Sequence, residues 1–184
     1  MKKLILLLFI PLFSFSQESE RIFLKNFINS KGVNLSIEIP ENFKRMYFNP
    51  TPQNYDWVAT YSDKKIGVSI NISIMDNILG EVTETFWRSE MEKNNNDGQW
   101  QKQNPYLTLL EWKFMQINDF LIYQELYLSD QPNWPKSKPS EAGYRWTILE
   151  GDKIINLQAH SESLSIHKSA DKIYNKILYS IKID

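Results

Sequence analysis

Hydrophobic and polar positions alternate most regularly over residues 66–74. Every second position there holds a branched aliphatic residue: Ile66, Val68, Ile70, Ile72 and Ile74. The positions between them are small and polar: Gly67, Ser69, Asn71 and Ser73. A period of two places the aliphatic side chains on one face of a β-strand and does not fit the 3.6-residue period of a helix. We therefore predict a strand whose aliphatic face is buried, and whose polar face is either covered very closely or left open as a shallow groove.

Shorter alternating runs predict two further strands near this one. Residues 33–39 alternate and end at Pro40, which has no amide hydrogen to continue a sheet. Residues 56–61 form the second run, and the polar turn over residues 62–65 connects it to the strand over 66–74. These two neighbouring runs are therefore expected to form a hairpin.

A second hairpin is predicted over residues 106–114 and 120–128, joined around Asn118 and Asp119. Both of its faces are largely apolar, so it is expected in a sheet that is covered on both sides.

The clearest hairpin spans residues 144–159, with a two-residue turn at 151–152. That turn places Arg145 opposite Gln158 on the more polar side, while Trp146 lies on the apolar side. We expect this hairpin toward an edge of the sheet or with only one face well covered.

Apolar residues recur every three or four positions in two segments, which is the spacing of an amphipathic helix. The first segment contains Leu79, Val82, Phe86 and Met91. Residues 94–98 follow it and are of the types that end helices. The second segment contains Ile166, Ala170, Ile173, Ile177 and Ile181. Ser169 is its predicted N-cap, and both helices are expected to pack on the sheet.

The N-terminus has the composition of a secretory signal peptide. Lys2 and Lys3 precede an apolar run over residues 4–13, and residues 14–16 supply a small-residue cleavage site. The apolar run is about half of the ~20 residues that a membrane-spanning helix needs, so no transmembrane segment is predicted. Cleavage after Ser16 would remove residues 1–16 as a signal peptide. Residues 17–184 would remain as one secreted or periplasmic domain.

Composition excludes several classes of function. The chain contains no cysteine, so it has no disulfide bond and lacks the lipid-attachment cysteine of a bacterial lipoprotein. Removal of Lys2 and Lys3 takes the formal net charge from −1 to −3, which leaves no basic footprint for nucleic acid. The glycines never cluster into a phosphate-binding loop, and no nucleophilic serine motif is present. No cofactor is predicted.

Three segments make the chain resemble the PsbP-like superfamily. They are the strand over residues 33–43 with its Pro-x-x-Phe turn, the hairpin over residues 144–159, and residues 170–183 with an Ile-Leu-x-Ser-Ile ending. The resemblance implies an α+β fold, an antiparallel β-sheet flanked by helices as an α/β/α sandwich. Members include extrinsic photosystem proteins, nuclear-transport accessory factors and many secreted bacterial proteins, mostly binding or accessory modules. No motif here carries over a functional residue, and nothing in the sequence supports a photosystem role.

His160, His167 and Asp171 are the candidate metal ligands, with Glu162 close to them in the sequence. His167 and Asp171 are one helical turn apart. No compact ligand spacing such as His-Glu-x-x-His is present, so both histidines are more simply interpreted as solvated side chains at element ends.

Glu111 and Glu125 are the carboxylates that the hairpin register brings nearest to each other. That register places them on different faces of the sheet, and a slip of one residue would place them on the same face. We interpret each of them as a separate edge or solvated charge rather than as a catalytic pair.

Trp134, unlike the tryptophans that fall in predicted strands or helices, has no face that the pattern assigns to the core. Four of those fall on faces expected to be buried: Trp57, Trp87, Trp112 and Trp146. Trp134 instead lies between Pro132 and Pro135 in a long loop over residues 129–143. Its side chain either packs against the domain and holds the loop in place, or is exposed and contacts a ligand.

The sequence favours a secreted or periplasmic, non-catalytic binding or accessory domain. Its partner would be a protein or small-molecule ligand in the cell envelope or outside the cell, with Trp134, Arg145 and Gln158 as the candidate binding residues. One alternative is a small metal-dependent or hydrolytic enzyme that uses His160 and Asp171. Another is a carrier of an apolar small molecule, held between the sheet and the helix that contains Phe86.

Overall fold

The computed structural model of the chain describes residues 18–47, 56–130 and 140–183. The predicted signal peptide, residues 1–16, and the candidate binding residue Trp134 lie outside these described residues. Within the described stretches, no helix combines the length and the apolar character needed to cross a membrane.

Seven of the strands form one sheet in which every neighbouring pair is antiparallel. In chain order its strands are β3 (Lys44–Met46), β4 (Trp57–Asp63), β5 (Val68–Asp76), β6 (Leu107–Ile117), β7 (Phe120–Ser129), β8 (Glu141–Glu150) and β9 (Lys153–Ser161). Their order across the sheet is β3-β4-β5-β9-β8-β7-β6. The strand predicted from strict alternation is therefore β5, which lies inside the sheet between β4 and β9.

A smaller antiparallel sheet consists of β1 (Ser19–Phe23), β2 (Leu35–Pro40) and β10 (Lys182–Ile183), in the order β1-β2-β10. A single 3-10 turn, Leu24–Asn26, follows β1. β2 ends at Pro40, where the sequence predicted that the strand would stop.

The described residues form three α-helices: α1 (Glu84–Asn96), α2 (Gln99–Gln103) and α3 (Leu164–Tyr179). α1 begins later than predicted because residues 77–80 form a turn, closed by a hydrogen bond from the Gly80 amide to the Asn77 carbonyl, and Gly80 has a φ of +68°. The Thr83 hydroxyl then accepts a hydrogen bond from the Phe86 amide and caps the helix.

The predicted N-cap of α3 was wrong. The cap is Ser163, whose hydroxyl accepts a hydrogen bond from the Ile166 amide at 3.3 Å. Ser169 lies inside the helix, and its hydroxyl donates to the Ser165 carbonyl at 3.1 Å. The predicted cap lies too late because the side chain that the first turn buries most deeply is a histidine, His167, and not an apolar residue.

The two faces of the large sheet are covered by different layers. The aliphatic residues of β5 are buried in one cluster with α3 and with β2 of the small sheet. α1 and α2 lie on the opposite face, where Trp87 of α1 meets the rings of Phe114 and Tyr123. The fold is therefore α+β, an antiparallel β-sheet flanked by helices, as predicted.

The predicted register is confirmed for the hairpin over residues 144–159, and for the hairpin over residues 106–128 it is confirmed from the turn as far as Glu111. Arg145 lies opposite Gln158, and Trp146 lies opposite Leu157. Glu125 lies opposite Trp112, one residue beyond Glu111, so the two carboxylates are on different faces of the sheet. Farther from the turn, the register of β6 shifts between residues 109 and 111.

Candidate binding cleft

The face of the sheet that carries α1 and α2 also carries two rows of polar residues. Cross-strand neighbours share a face, so the strand register identifies both rows. The first row runs across β5, β9 and β8 as Ser73, Asn156 and Thr147, flanked by Trp57 and Tyr123. The second row runs across β5, β9, β8 and β7 as Asn71, Gln158, Arg145 and Glu125. The polar face of β5 is thus part of a wider polar surface.

α1 and α2 make one wall above this surface and enclose a cleft of about 420 Å³, hereafter the polar cleft. The helices contribute Met91, Asn94, Trp100 and Gln103, and Asn104 directly after α2 lines the same wall. The floor includes Ser73, Thr147, Asn156 and Gln158, with Met75 and Ile154 beside them. Ser69, Asn71 and Ser73 are each half-buried, so the polar side of β5 is neither closely covered nor fully open and lies between the two outcomes that its sequence predicted.

A buried ion pair stands at the end of the polar cleft. Glu125 is 3% exposed, and its Oε2 lies 3.2 Å from Nη1 of Arg145. The indole Nε1 of Trp100 donates a hydrogen bond to the other carboxylate oxygen of Glu125. Arg145 Nη2 also reaches Asn104 Oδ1 at 3.4 Å. This pair therefore connects α2 to the sheet.

The ion pair is incompletely hydrogen-bonded within the described residues. Neither Oε2 of Glu125 nor Nε of Arg145 makes a hydrogen bond there, so their contact is mainly electrostatic. The guanidinium also lies over the ring of Tyr127, 5.6 Å from its centroid.

Aromatic residues fill the part of the same face that is nearest β6. Phe114 and Tyr123 have ring centroids 5.2 Å apart, and Trp87 and Trp112 pack on both rings. Burial raises the pKa of Tyr123 well above its usual range, and its hydroxyl accepts a hydrogen bond from Asn95 Nδ2 at 2.6 Å. Phe86 is 44% exposed, so the helix turns Trp87 and not Phe86 toward the sheet.

The structure does not bring the three candidate metal ligands together. His160 lies on the face of the polar cleft, with Nε2 3.5 Å from Oε1 of Gln158 and its ring against that of Tyr127. His167 and Asp171 lie on α3, on the opposite side of the sheet. The described residues contain no group of three or more His, Cys, Asp or Glu side chains that would hold a metal ion.

His167 is a core residue. It is 1% exposed, lies between the rings of Tyr144 and Tyr174, and has Nδ1 3.3 Å from the hydroxyl of Ser161. Burial lowers its pKa to about 4, and Nε2 has no hydrogen-bond partner among the described residues. Asp171 instead accepts a hydrogen bond from the Tyr144 hydroxyl at 3.2 Å. Burial lowers the pKa of His160 as well.

A larger groove, of about 780 Å³, lies beside β1 and β3. Its two arginines are already engaged: Arg21 pairs with Glu38 at 2.6 Å, and Arg45 lies over the rings of Phe27 and Tyr47. The polar cleft is the stronger candidate because its polar lining consists mainly of amides and hydroxyls, whereas the polar lining of the groove is almost entirely charged.

No protein-family model and no curated protein matches the sequence. Solved structures match it at the level of the fold. CyanoP, the PsbP protein of the cyanobacterium Synechocystis sp. PCC 6803, aligns with a TM-score of 0.56 and 10% identity over 91% of this chain and 94% of that one. The Ran-binding protein Mog1p of Saccharomyces cerevisiae aligns with a TM-score of 0.56 and 10% identity over 91% of this chain and 96% of that one.

The chain has the PsbP-like fold. A protein from Bacteroides thetaiotaomicron VPI-5482 is also similar, with a TM-score of 0.51 and 10% identity, and this chain spans 49% of that one. Identities of this size relate the folds alone.

Within this PsbP-like fold, two tryptophans differ from what the sequence pattern indicated. Trp57 was expected to be buried, but it is 41% exposed and lines the polar cleft, because the pairing of β4 with β5 shifts between residues 57 and 59. Trp100 was not identified as a site residue, although it is 3% exposed and holds Glu125. The sequence pattern indicates only a helix end at Gly98, which has a φ of +69°, whereas a second short helix begins directly after it.

Proposed function

We propose that the chain is a secreted or periplasmic, non-catalytic binding or accessory domain, and that its ligand or partner binds in the polar cleft. The observation that carries this proposal is the convergence of Arg145, Gln158 and the first polar row in a cleft with one exposed aromatic side chain. A few polar groups that converge in a concave site are the usual arrangement for fixing a ligand's orientation.

Two observations favour binding over catalysis. The charged groups of the polar cleft are engaged in ion pairs, since Glu125 is held by Arg145 and Trp100, and Asp56 pairs with Lys31. His160, the candidate acid or base on this face, is separated by the sheet from Asp171, its predicted partner. The neighbouring fold of Mog1p, a Ran-binding protein, offers a parallel for a binding role without identifying a partner here.

The secretory part of the proposal rests on residues 1–16 and is tested separately. The full chain would be expressed in its source cell and recovered from cytoplasmic, envelope and culture fractions. We expect it outside the cytoplasm with Gln17 as its first residue by mass spectrometry. Recovery of an unprocessed chain in the cytoplasm would contradict secretion.

The binding part is tested by NMR on the isotope-labelled chain without its signal peptide. Soluble envelope extract of the source cell is added, and backbone amide shifts are followed. We expect changes confined to residues of the polar cleft, such as Ser73, Thr147 and Gln158. Changes confined to the groove beside β1 and β3, or no changes at all, would overturn the cleft as the site.

A further inference from the structure

We infer that the polar cleft binds an uncharged, hydroxyl-rich ligand, a segment of a neutral glycan. This inference rests on the proposed function and specifies the chemical class of its ligand. Three properties of the lining favour this class of ligand: its hydrogen-bonding groups, its charge and its exposed apolar surface.

The hydrogen-bonding groups of the polar cleft are mainly amides and hydroxyls. They are Ser73, Asn94, Gln103, Asn104, Thr147, Asn156 and Gln158. Each of these side chains both donates and accepts hydrogen bonds, as does each hydroxyl of a sugar. The Thr147 hydroxyl donates to Oδ1 of Asn156 at 2.8 Å, which holds that amide in one orientation across β8 and β9. The floor is therefore pre-organised.

The charges of the polar cleft are compensated from within the protein. Among the described residues, each charged side chain of the lining has an opposite charge close by: Glu125 and Arg145 are 3.2 Å apart, and Asp56 lies 2.7 Å from Lys31. An anionic ligand would have to compete with Glu125 for Arg145, and a cationic ligand with Arg145 for Glu125. Both exchanges leave a poorly hydrated charge without its partner. An uncharged ligand requires neither.

Apolar surface is present on one side of the polar cleft. Trp57 is 41% exposed and stands directly opposite Ser73 in the strand register. Met75, Met91 and Ile154 continue this side. A sugar ring has hydroxyls around its rim and C–H groups on its faces, so it can rest on the indole while its hydroxyls meet the polar row. A wholly apolar ligand would instead displace water from the amides of the lining and offer them no hydrogen bond in its place, which is costly.

The volume is compatible with this class of ligand. At about 420 Å³, the polar cleft falls within the ~300–1,000 Å³ of typical small-molecule sites. Beyond the lining, the polar side of β5 continues through Asn71 and Ser69, which are half-buried and therefore partly accessible. A chain of sugars can therefore extend out of the cleft along this strand.

The test is calorimetric titration of the chain without its signal peptide against soluble neutral oligosaccharides: hexamers of glucose with α- and β-linkages, of xylose and of mannose, and a tetramer of N-acetylglucosamine. Matched probes of other classes are a hexa-aspartate peptide, a hexa-lysine peptide and a medium-chain fatty acid. We expect at least one oligosaccharide to bind, and the other probes not to bind.

Two matched pairs of variants locate the binding. Trp57→Ala is compared with Tyr179→Ala, an aromatic residue 58% exposed on α3. Gln103→Ala is compared with Gln99→Ala, because both glutamines are exposed on α2 but only Gln103 lines the polar cleft. We expect Trp57→Ala to weaken binding about tenfold or more, equivalent to ~1.4 kcal/mol. Gln103→Ala should weaken it severalfold, and the two controls should leave it unchanged.

The outcomes separate this inference from the proposed function. Binding of a charged or apolar probe that Trp57→Ala weakens would overturn the glycan class and leave the cleft as a binding site. Oligosaccharide binding that neither cleft variant weakens would overturn the polar cleft as the site. Absence of all oligosaccharide binding at about 10 mM, well above a Kd of ~1 mM, would overturn the glycan class alone.

Discussion

The indole of Trp100 donates a hydrogen bond to the buried carboxylate of Glu125, and this bond joins α2 to the centre of β7. The same carboxylate lies 3.2 Å from the guanidinium of Arg145 on the next strand. One wall of the polar cleft and its floor are therefore connected through a single acidic side chain.

Replacement of Glu125 by Ala should destabilise the protein, because it leaves Arg145 largely buried without its counter-charge. We expect the free energy of unfolding to fall by about 2–4 kcal/mol, somewhat less than for a fully buried pair since the Arg145 side chain is 23% exposed. Urea denaturation provides the measurement. Glu111→Ala is the control, because Glu111 is exposed on the other face of the same hairpin, and it should change stability by about 0.5 kcal/mol or less. Equal effects of the two substitutions would contradict the assigned pair.

Gly143→Ala should also be destabilising, for a steric reason. A Cβ at position 143 would come within 2.6 Å of the Tyr127 ring and hydroxyl, and Tyr127 is 2% exposed between Arg145 and His160. We expect a loss of about 1–3 kcal/mol in the free energy of unfolding. In a Tyr127→Ala background the same substitution should cost nothing measurable, since the obstructing ring is gone. An equal cost in both backgrounds would show that contact with Tyr127 is not the cause.

The hairpins were predictable because their turns are encoded locally. Asn118 and Gly151 occupy positions of positive φ, +51° and +57°, which Asn and Gly tolerate best. Those turns set the register, and the register placed Arg145 beside Gln158 and separated Glu111 from Glu125. The fold and the polar floor of the cleft follow from such local information.

The wall of the polar cleft was not predictable in the same way. The contact of Trp100 with Glu125 depends on how α2 packs over β7, and no residue near either position indicates it. The exposure of Trp57 depends on an irregularity in strand pairing that periodicity does not report. His167 was interpreted as a solvated residue at a helix end, because the aromatic rings that bury it come from elsewhere in the chain.

The burial of His167 predicts that mild acid destabilises the protein. Its pKa is about 4 when folded and near 6.5 when unfolded, so between these values only the unfolded chain takes up the proton. Stability should therefore fall as the pH is lowered, by about 2 kcal/mol between pH 8 and pH 5 from this residue. The lowered pKa of His160 acts in the same direction. The lowered carboxyl pKa values of Glu38 and Asp76 act in the same direction too, but mainly at lower pH.

Urea denaturation at several pH values measures this dependence. His167→Phe should flatten the stability profile between pH 8 and pH 5, because phenylalanine does not titrate and suits the space between Tyr144 and Tyr174. His160→Phe serves as the comparison on the other face of the sheet. A profile that His167→Phe leaves unchanged would show that this histidine is not buried in its neutral form.

The start of α3 gives a comparison between two serines of the same helix. Ser163→Ala removes the hydroxyl that accepts from the Ile166 amide, so it should lower the free energy of unfolding by about 1 kcal/mol. Ser169→Ala removes an exposed hydroxyl that donates to the Ser165 carbonyl, and alanine is the better helix former, so stability should be unchanged or slightly raised. Thermal unfolding of both variants measures the difference. The opposite order would place the helix start at Ser169.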